Sequence, residues 1–93
     1  MKVLITGASS GIGRDMAKIL GKKGYDLVLV ARDEEKLNSV KNEIGNENIE
    51  IIKMDISSVE NCKTLHNMVK NVDILINNAR IWGLWRIYKN RFR

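Results

Sequence analysis

The chain has 93 residues and a formal charge of +5. This length excludes an enzyme of two large domains, because one domain of this size buries only about 60–65% of the surface of its unfolded chain. Residues 80–93 contain five of the 16 basic residues and no acidic residue, so positions 1–79 hold 11 basic against 11 acidic residues. The composition therefore divides the chain near position 79 into a neutral part and a basic, aromatic segment.

The single cysteine, Cys62, cannot form an internal disulfide, and no second thiol gives a zinc-type spacing. His66 follows it by four residues, but it lies beside the apolar face that holds Cys62, so we expect no metal site. Apolar runs such as 27–31 are far shorter than the roughly 20 residues of a membrane span. The first glycines come too early for a signal peptide. We therefore predict a cytoplasmic protein without a membrane span.

Strands and helices are expected to alternate along residues 1–79. Continuous apolar runs predict buried strands over 2–6, 27–31, 49–54 and 74–76. Apolar residues at helical spacing predict helices over 12–22, from Asp33 to Gly45, and over 58–71. We expect Asp33 to cap the second helix and Gly45 to end it.

Each predicted helix has an apolar face that should pack on the sheet. The first face is formed by Ile12, Met16, Ile19 and Leu20, the second by Leu37, Val40 and Ile44, and the third by Val59, Cys62, Leu65, Val69 and Val72. Alternating strands and helices predict parallel β-α-β units with right-handed crossovers, which make a doubly wound α/β fold. In the strand order 3-2-1-4 the outer edge of the fourth strand lacks a partner, which favours self-association.

A glycine-rich segment, Thr6 to Gly13, joins the first strand to the first helix. Gly7 permits a tight exit from the strand, Gly11 lets a pyrophosphate approach the backbone, and Gly13 lets the helix pack closely on the sheet. The helix start offers free N–H groups and the positive end of its dipole to an anion. Ser9 and Ser10 add hydroxyl donors. The alternative is that this segment is only a turn.

The spacing Gly-x-x-x-Gly-x-Gly resembles that of the short-chain dehydrogenase/reductase family. Three further segments match the family in order, namely Ala31-Arg32, Asp55-Ile56-Ser57 and Asn77-Asn78-Ala79. The resemblance covers residues 1–79 and implies the N-terminal, cofactor-binding part of a three-layered, incomplete Rossmann-like fold. It also implies that Gly7, Ser9, Ser10, Gly11, Ile12 and Gly13 contact a dinucleotide.

Arg32 bears on the choice of cofactor. Relatives that prefer NAD tend to carry an acid at the position of Ala31 to hold the adenosine ribose. Arg32 instead offers a planar guanidinium to a 2′-phosphate, so the resemblance implies NADP(H) rather than NAD(H). A charge-assisted contact of about 1.5–3 kcal/mol corresponds to a roughly tenfold to hundredfold preference. Alternatively, Arg32 is a solvated charge that pairs with Glu35.

The remaining matches imply contacts with the other parts of the cofactor. By resemblance, Asp55 accepts a hydrogen bond from the adenine amino group and Ile56 packs near the ring, although Asp55 or Ser57 could simply cap the next helix. The segment Asn77-Asn78-Ala79 steadies the sheet and borders a cofactor ribose in relatives. An ordinary turn is the alternative there.

The family's catalytic residues have no match in this chain. A Tyr-x-x-x-Lys pair is missing, because Phe92 stands four residues after Tyr88. We therefore expect hydride transfer between NADP(H) and a carbonyl or alcohol in intact relatives, and no activity of this chain alone.

Residues 80–93 lack a family resemblance, and Arg80 stands where the family has glycine. Tryptophan has only the codon TGG, so a reading frame shifted by one base would turn Trp82 and Trp85 into glycines, as the family's continuation requires. We therefore hypothesise an out-of-frame segment on a truncated product. The alternatives are a small basic protein that uses 80–93 on nucleic acid or an anionic membrane, or a product without function. Apolar and basic residues are not separated in 80–93, so nucleic-acid binding is not favoured.

Overall fold

The computed structural model describes residues 1–78, and Ala79 with the segment 80–93 lies outside this part of the chain. The strands are β1 (Lys2–Thr6), β2 (Asp26–Ala31), β3 (Ile49–Lys53) and β4 (Ile74–Asn77). The helices are α1 (Gly11–Lys22), α2 (Glu34–Ile44) and α3 (Val59–Met68). The predicted alternation is confirmed. Helix α3 ends at Met68 rather than near residue 71, because Val69 already has an extended backbone.

Within residues 1–78 the strands pair in parallel, in the order β3-β2-β1-β4. This is the predicted order, and it brings the carboxyl ends of the four strands to one edge of the sheet. Strand β1 lies between β2 and β4, so the chain leaves it in one direction and later returns to its other side. Ligands of such folds bind at this switch point.

Two apolar cores confirm the three-layered α/β architecture. One lies between the sheet and α3, and the other lies between the sheet and the pair α1 and α2. Strand β1 contributes side chains to both cores. Leu4 packs into the first core, and Val3 and Ile5 pack into the second, all without exposed area. Burial on both faces explains why this strand is a continuous apolar run.

The predicted apolar face of α1 is wrong for Ile12 and Ile19, whereas Leu20 packs against the second core as predicted. Ile12 is 72% exposed and Ile19 is 53% exposed, whereas Gly13, Ala17 and Gly21 are buried. These small residues recur every four positions and let the helix approach its neighbours closely. A Cβ atom added at Gly21, for example, would lie only 2.5 Å from Cγ2 of Ile44 in α2. Small side chains therefore form the most buried face of α1.

The third helix also differs in one detail from its predicted face. Cys62 and Leu65 are buried as expected, but Val59 is 58% exposed. The thiol of Cys62 donates to the carbonyl oxygen of Ile56 at 3.4 Å. Cys62 therefore serves the core between α3 and the sheet.

Side chains cap two of the three helix N-termini. Asp33 accepts a hydrogen bond from the Lys36 amide at 3.1 Å, which confirms the predicted cap of α2. Gly45 ends the same helix in the left-handed conformation with φ of 71°, also as predicted. Ser58 caps α3 by accepting from the Asn61 amide at 3.3 Å. The alternative role of Asp55 or Ser57 as this cap is therefore wrong.

An ion-pair cluster joins α1 to α2 beside the sheet. Glu43 accepts from Nη2 of Arg14 at 2.8 Å, and Lys18 Nζ contacts its other carboxylate oxygen. The hydrogen bond from Lys18, together with the bond and charge of Arg14, holds the pKa of Glu43 below its ordinary value. The cluster fixes α1 relative to α2, whose N-terminal ends flank the functional edge of the sheet.

Candidate functional site

A groove of about 950 Å³ opens at the carboxyl ends of β1, β2 and β3. Three connections contribute to its walls: the loop between β1 and α1, the segment from β2 into α2, and the segment that follows β3. Its lining residues are Gly7, Ser9, Ser10, Val30, Ala31, Arg32, Asp33, Glu34, Glu35, Lys36, Lys53, Met54, Asp55, Ile56 and Ser57. Six of the twelve predicted site residues thus come together around one space.

The glycine-rich loop is held in a shape that needs glycine. Gly7 and Gly11 have φ of 64° and 58°, in the left-handed region that side chains disfavour. Within residues 1–78, apart from its chain neighbours and the backbone of its own helix, no atom lies within 4 Å of the place where a Cβ of Gly11 would stand. The backbone of Gly11 is therefore open to a close approach from outside.

Gly13 serves a different purpose in the same loop. A Cβ atom there would press against the carbonyl oxygen of Gly7 and would lie 2.9 Å from Nδ2 of Asn78. Gly13 is buried in the first turn of α1. Its lack of a side chain lets the first turn of α1 lie against the Gly7 carbonyl and the Asn78 side chain, rather than only against the sheet as the sequence suggested.

The N-terminus of α1 has no side-chain cap. Ser10 occupies the cap position with extended backbone, but within residues 1–78 its hydroxyl makes no capping hydrogen bond, and the first turn contains no acidic residue. Ser9 and Ser10 line the groove instead. Because the first N–H groups of a helix lack intrahelical partners, this end carries free donors and a partial positive charge.

The two asparagines at the end of β4 support the loop from behind. Oγ1 of Thr6, which is fully buried, donates to Oδ1 of Asn77 at 2.8 Å. Nδ2 of Asn78 donates to the carbonyl oxygen of Gly7 at 3.3 Å. Neither asparagine lines the groove. Their side chains therefore tie β4 to the start of the glycine loop, and Thr6 is a residue of this support that the sequence analysis missed.

Arg32 is exposed and follows β2 directly into the groove. Within residues 1–78 both ion pairs involve Glu43, so the alternative pairing of Arg32 with Glu35 is not observed. The neighbouring carboxylate of Asp33 is engaged in capping α2. Arg32 therefore presents its positive charge to the groove.

Asp55 also lines the groove, on the segment that follows β3, which is the neighbouring strand of β2. Its Oδ1 accepts from the Ser57 amide at 2.9 Å. Hydrogen bonds from the Ser57 backbone and side chain, with a smaller contribution from the charge of Arg32, hold the pKa of Asp55 below its ordinary value. This carboxyl group is therefore ionised at neutral pH and oriented by its own loop.

Ile56 combines two roles. It lines the groove, but it is only 5% exposed and packs in the core that also contains Cys62. Ile12, in contrast, is exposed at the start of α1 and does not line the groove.

Several lining residues were missed, including Lys36, Lys53 and Ser57. The signal for Lys53 lies in the pairing of β2 with β3, which places Lys53 beside Ala31. Residues 1–78 bring no three His, Cys, Asp or Glu side chains together in a way that could hold a metal ion. In the same part of the chain, no helix has the length and apolar character needed to cross a membrane.

Comparison with known proteins agrees with this geometry. Residues 1–90 match the family described as short chain dehydrogenase. The chain belongs to this family. The match extends into the segment 80–93. Among curated relatives, 11-beta-hydroxysteroid dehydrogenase-like 2 of Arabidopsis thaliana is 46% identical over 87 residues, which cover 85% of this chain and 28% of the relative.

Solved structures show the same relationship. A short-chain dehydrogenase from Sphingobium yanoikuyae in complex with NADPH superimposes with a TM-score of 0.74 at 37% identity, over 84% of this chain and 33% of that one. A metagenomic short-chain oxidoreductase in complex with NADP has a TM-score of 0.74 at 34% identity, over 87% of this chain and 39% of that one. The chain therefore spans less than two fifths of the length of these short chain dehydrogenases.

Proposed function

We propose that this chain binds a nicotinamide dinucleotide in the groove at the carboxyl ends of β1, β2 and β3, and that it prefers NADP(H) to NAD(H). The observation that carries the proposal is the uncapped N-terminus of α1 next to the open backbone of Gly11. Free N–H donors and a positive helix end beside a backbone without side chains suit a diphosphate. The fold and the family support this assignment.

Different connections of the groove offer residues for the different parts of such a ligand. The glycine loop, with Ser9 and Ser10, would hold the diphosphate at the end of β1, and Asp55 and Ile56 would hold the adenine at the end of β3. Asn77, Asn78 and Ala79 would border the ribose on the nicotinamide side. When bound, the nicotinamide supplies the hydride chemistry of the family.

The preference for NADP(H) rests on Arg32. Ala31 leaves no carboxylate at the end of β2 to hold ribose hydroxyls, and Asp33 is engaged with the Lys36 amide. Arg32, which stands between Ala31 and Asp33 in the sequence, lines the groove and has no ion-pair partner within residues 1–78. A 2′-phosphate there would gain two charge-assisted hydrogen bonds from one guanidinium.

The wider function follows the family. We propose that full-length relatives of this chain act as oxidoreductases on a carbonyl or alcohol, and that the 93 residues alone, which contain no Tyr-x-x-x-Lys pair, do not catalyse this reaction. The cytoplasmic location, the self-association through β4 and the out-of-frame origin of 80–93 stay predictions. The coding DNA around codon 79 tests the last of these.

A binding titration of the 93-residue chain tests the preference. We expect saturable binding of both dinucleotides, with tighter binding of NADPH. Arg32→Gln should weaken NADPH binding roughly tenfold to hundredfold and leave NADH binding nearly unchanged, because only NADPH carries the 2′-phosphate. Lys22→Gln, which removes a positive charge in the last turn of α1, far from the groove, is the matched control and should change neither affinity.

Two results would contradict the proposal. One is that the unaltered chain binds NADPH and NADH with equal affinity. The other is that Arg32→Gln weakens NADPH binding and NADH binding by the same factor. Parallel titration with RNA separates the alternative function. Salt-sensitive RNA binding that disappears on deletion of 80–93 would favour the nucleic-acid hypothesis.

A further inference from the structure

The adenosine end of the groove holds a balance of charges around Arg32. Four carboxylates line this end of the groove, from Asp33, Glu34, Glu35 and Asp55. A phosphate that enters beside Arg32 therefore competes with the electrostatic attraction between Arg32 and these carboxylates. The carboxylate that attracts Arg32 most strongly will reduce the binding free energy that a 2′-phosphate gains from Arg32.

Backbone pairing brings Asp55 to Arg32. Strands β2 and β3 are parallel with Ala31 beside Lys53, and the Met54 amide donates to the carbonyl oxygen of Ala31 at 2.9 Å just beyond the strands. Arg32 directly follows Ala31, the acceptor of this hydrogen bond, and Asp55 directly follows Met54, the donor. Their side chains consequently start from adjacent positions at the same edge of the sheet.

Local hydrogen bonds distinguish Asp55 from the other three carboxylates. The carboxylate of Asp33 is directed to the Lys36 amide, and Glu34 and Glu35 are exposed residues of the first turn of α2. The Asp55 carboxylate is held by the Ser57 amide at 2.9 Å, within the electrostatic influence of Arg32. Asp55 is thus a fixed negative charge, whereas the glutamates carry theirs on longer side chains.

We propose that Asp55 limits the preference for the 2′-phosphorylated dinucleotide by attracting the Arg32 guanidinium and so competing with the 2′-phosphate. Asp55 acts through Arg32 and is in this respect a positioning residue, in addition to any contact with adenine. This inference rests on the proposed function of Arg32.

Asp55→Asn tests the proposal by removing the charge and keeping the shape. The asparagine retains an oxygen that can accept from the Ser57 amide and from an adenine amino group. We expect the ratio of NADPH affinity to NADH affinity to rise roughly twofold to fivefold, which is the effect of one exposed charge pair. A change in the adenine contact of Asp55 affects both dinucleotides equally, because both carry adenine, so the ratio of the two affinities reports only the effect through Arg32.

Two further variants make the test specific to the pair. Glu35→Gln neutralises another carboxylate of the same groove and should change the ratio by less than half as much. In an Arg32→Gln background, Asp55→Asn should no longer raise the ratio. Circular dichroism confirms folding of each variant, and Asp55→Ser, which also keeps an acceptor for Ser57, replaces Asp55→Asn if that chain does not fold.

The outcomes separate this inference from the proposed function. If the unaltered chain prefers NADPH through Arg32 but the ratio stays constant in Asp55→Asn, the inference is wrong and the proposed function stands. It is also wrong if Glu35→Gln raises the ratio equally, or if the effect of Asp55→Asn persists without Arg32. A chain with no preference for NADPH contradicts both.

Discussion

The N-terminus of α1 differs from those of α2 and α3, although all three helices begin at the same edge of the sheet. Helix α2 has Asp33 as its cap and two glutamates in its first turn, and α3 has Ser58 as its cap and Glu60 in its first turn. Helix α1 has neither a side-chain cap nor an acidic residue there. The fold therefore satisfies two helix ends with its own side chains and leaves the third for an anion from outside.

This contrast explains why a serine at the start of a helix does not always act as a cap. Ser58 and Ser10 occupy equivalent positions, yet only the hydroxyl of Ser58 bonds to its helix. A cap contributes about 1 kcal/mol to stability. At α1 this contribution is absent, and a bound diphosphate would supply the missing acceptors.

The largest expected effect comes from the two glycines of the loop. Gly13→Ala places a Cβ against the carbonyl oxygen of Gly7 and the side chain of Asn78, so the loop and β4 must shift. We expect the free energy of unfolding to fall by about 1–3 kcal/mol. Urea unfolding followed by circular dichroism measures it.

Gly11→Ala is the matched control for Gly13→Ala. It has open space around the added methyl group and pays only the cost of its positive φ, about 1–2 kcal/mol. Its main effect should be on dinucleotide binding. If Gly11→Ala destabilised the fold more than Gly13→Ala did, the assignment of one glycine to packing and the other to ligand approach would be wrong.

A smaller effect on stability should follow when α1 is given the cap that it lacks. Ser10→Asp should stabilise the chain by about 0.5–1 kcal/mol, because a carboxylate suits an N-cap and the helix dipole. The same carboxylate would repel a diphosphate, so NADPH affinity should fall roughly tenfold. Thermal unfolding and a binding titration of one sample measure both changes.

Ser58→Ala is the converse experiment, because it acts on a helix end that already has a side-chain cap. It removes the cap of α3 and should cost about 1 kcal/mol of stability while NADPH affinity stays constant. A loss of NADPH affinity in Ser58→Ala, or unchanged affinity in Ser10→Asp, would show that the two helix ends do not differ in function.

Much of the fold could be predicted because its signals are local. Continuous apolar runs identified the four strands, and Asp33 and Gly45 marked the ends of α2 through their own hydrogen bonding and backbone conformation. The glycine loop could be recognised for the same reason. Strand order followed the common order of doubly wound folds, in which the first strand lies between the second and the fourth.

The missed features depend on contacts between distant segments. Hydropathy placed Ile12 and Ile19 in the core, whereas α1 packs through small residues whose burial depends on how closely its neighbours approach. The bond from Thr6 to Asn77 joins residues 71 positions apart. The proximity of Arg32 to Asp55 likewise requires the pairing of β2 with β3, which no local pattern specifies.

The most direct test of the account is a two-dimensional NMR titration of the ¹⁵N-labelled 93-residue chain with NADPH. We predict saturable shifts of the amide resonances from Gly7 to Gly13, accompanied by shifts at Arg32 and Asp55. Unchanged loop amides at saturating NADPH, or shifts confined to residues 80–93, would contradict the claim that the N-terminus of α1 binds the dinucleotide.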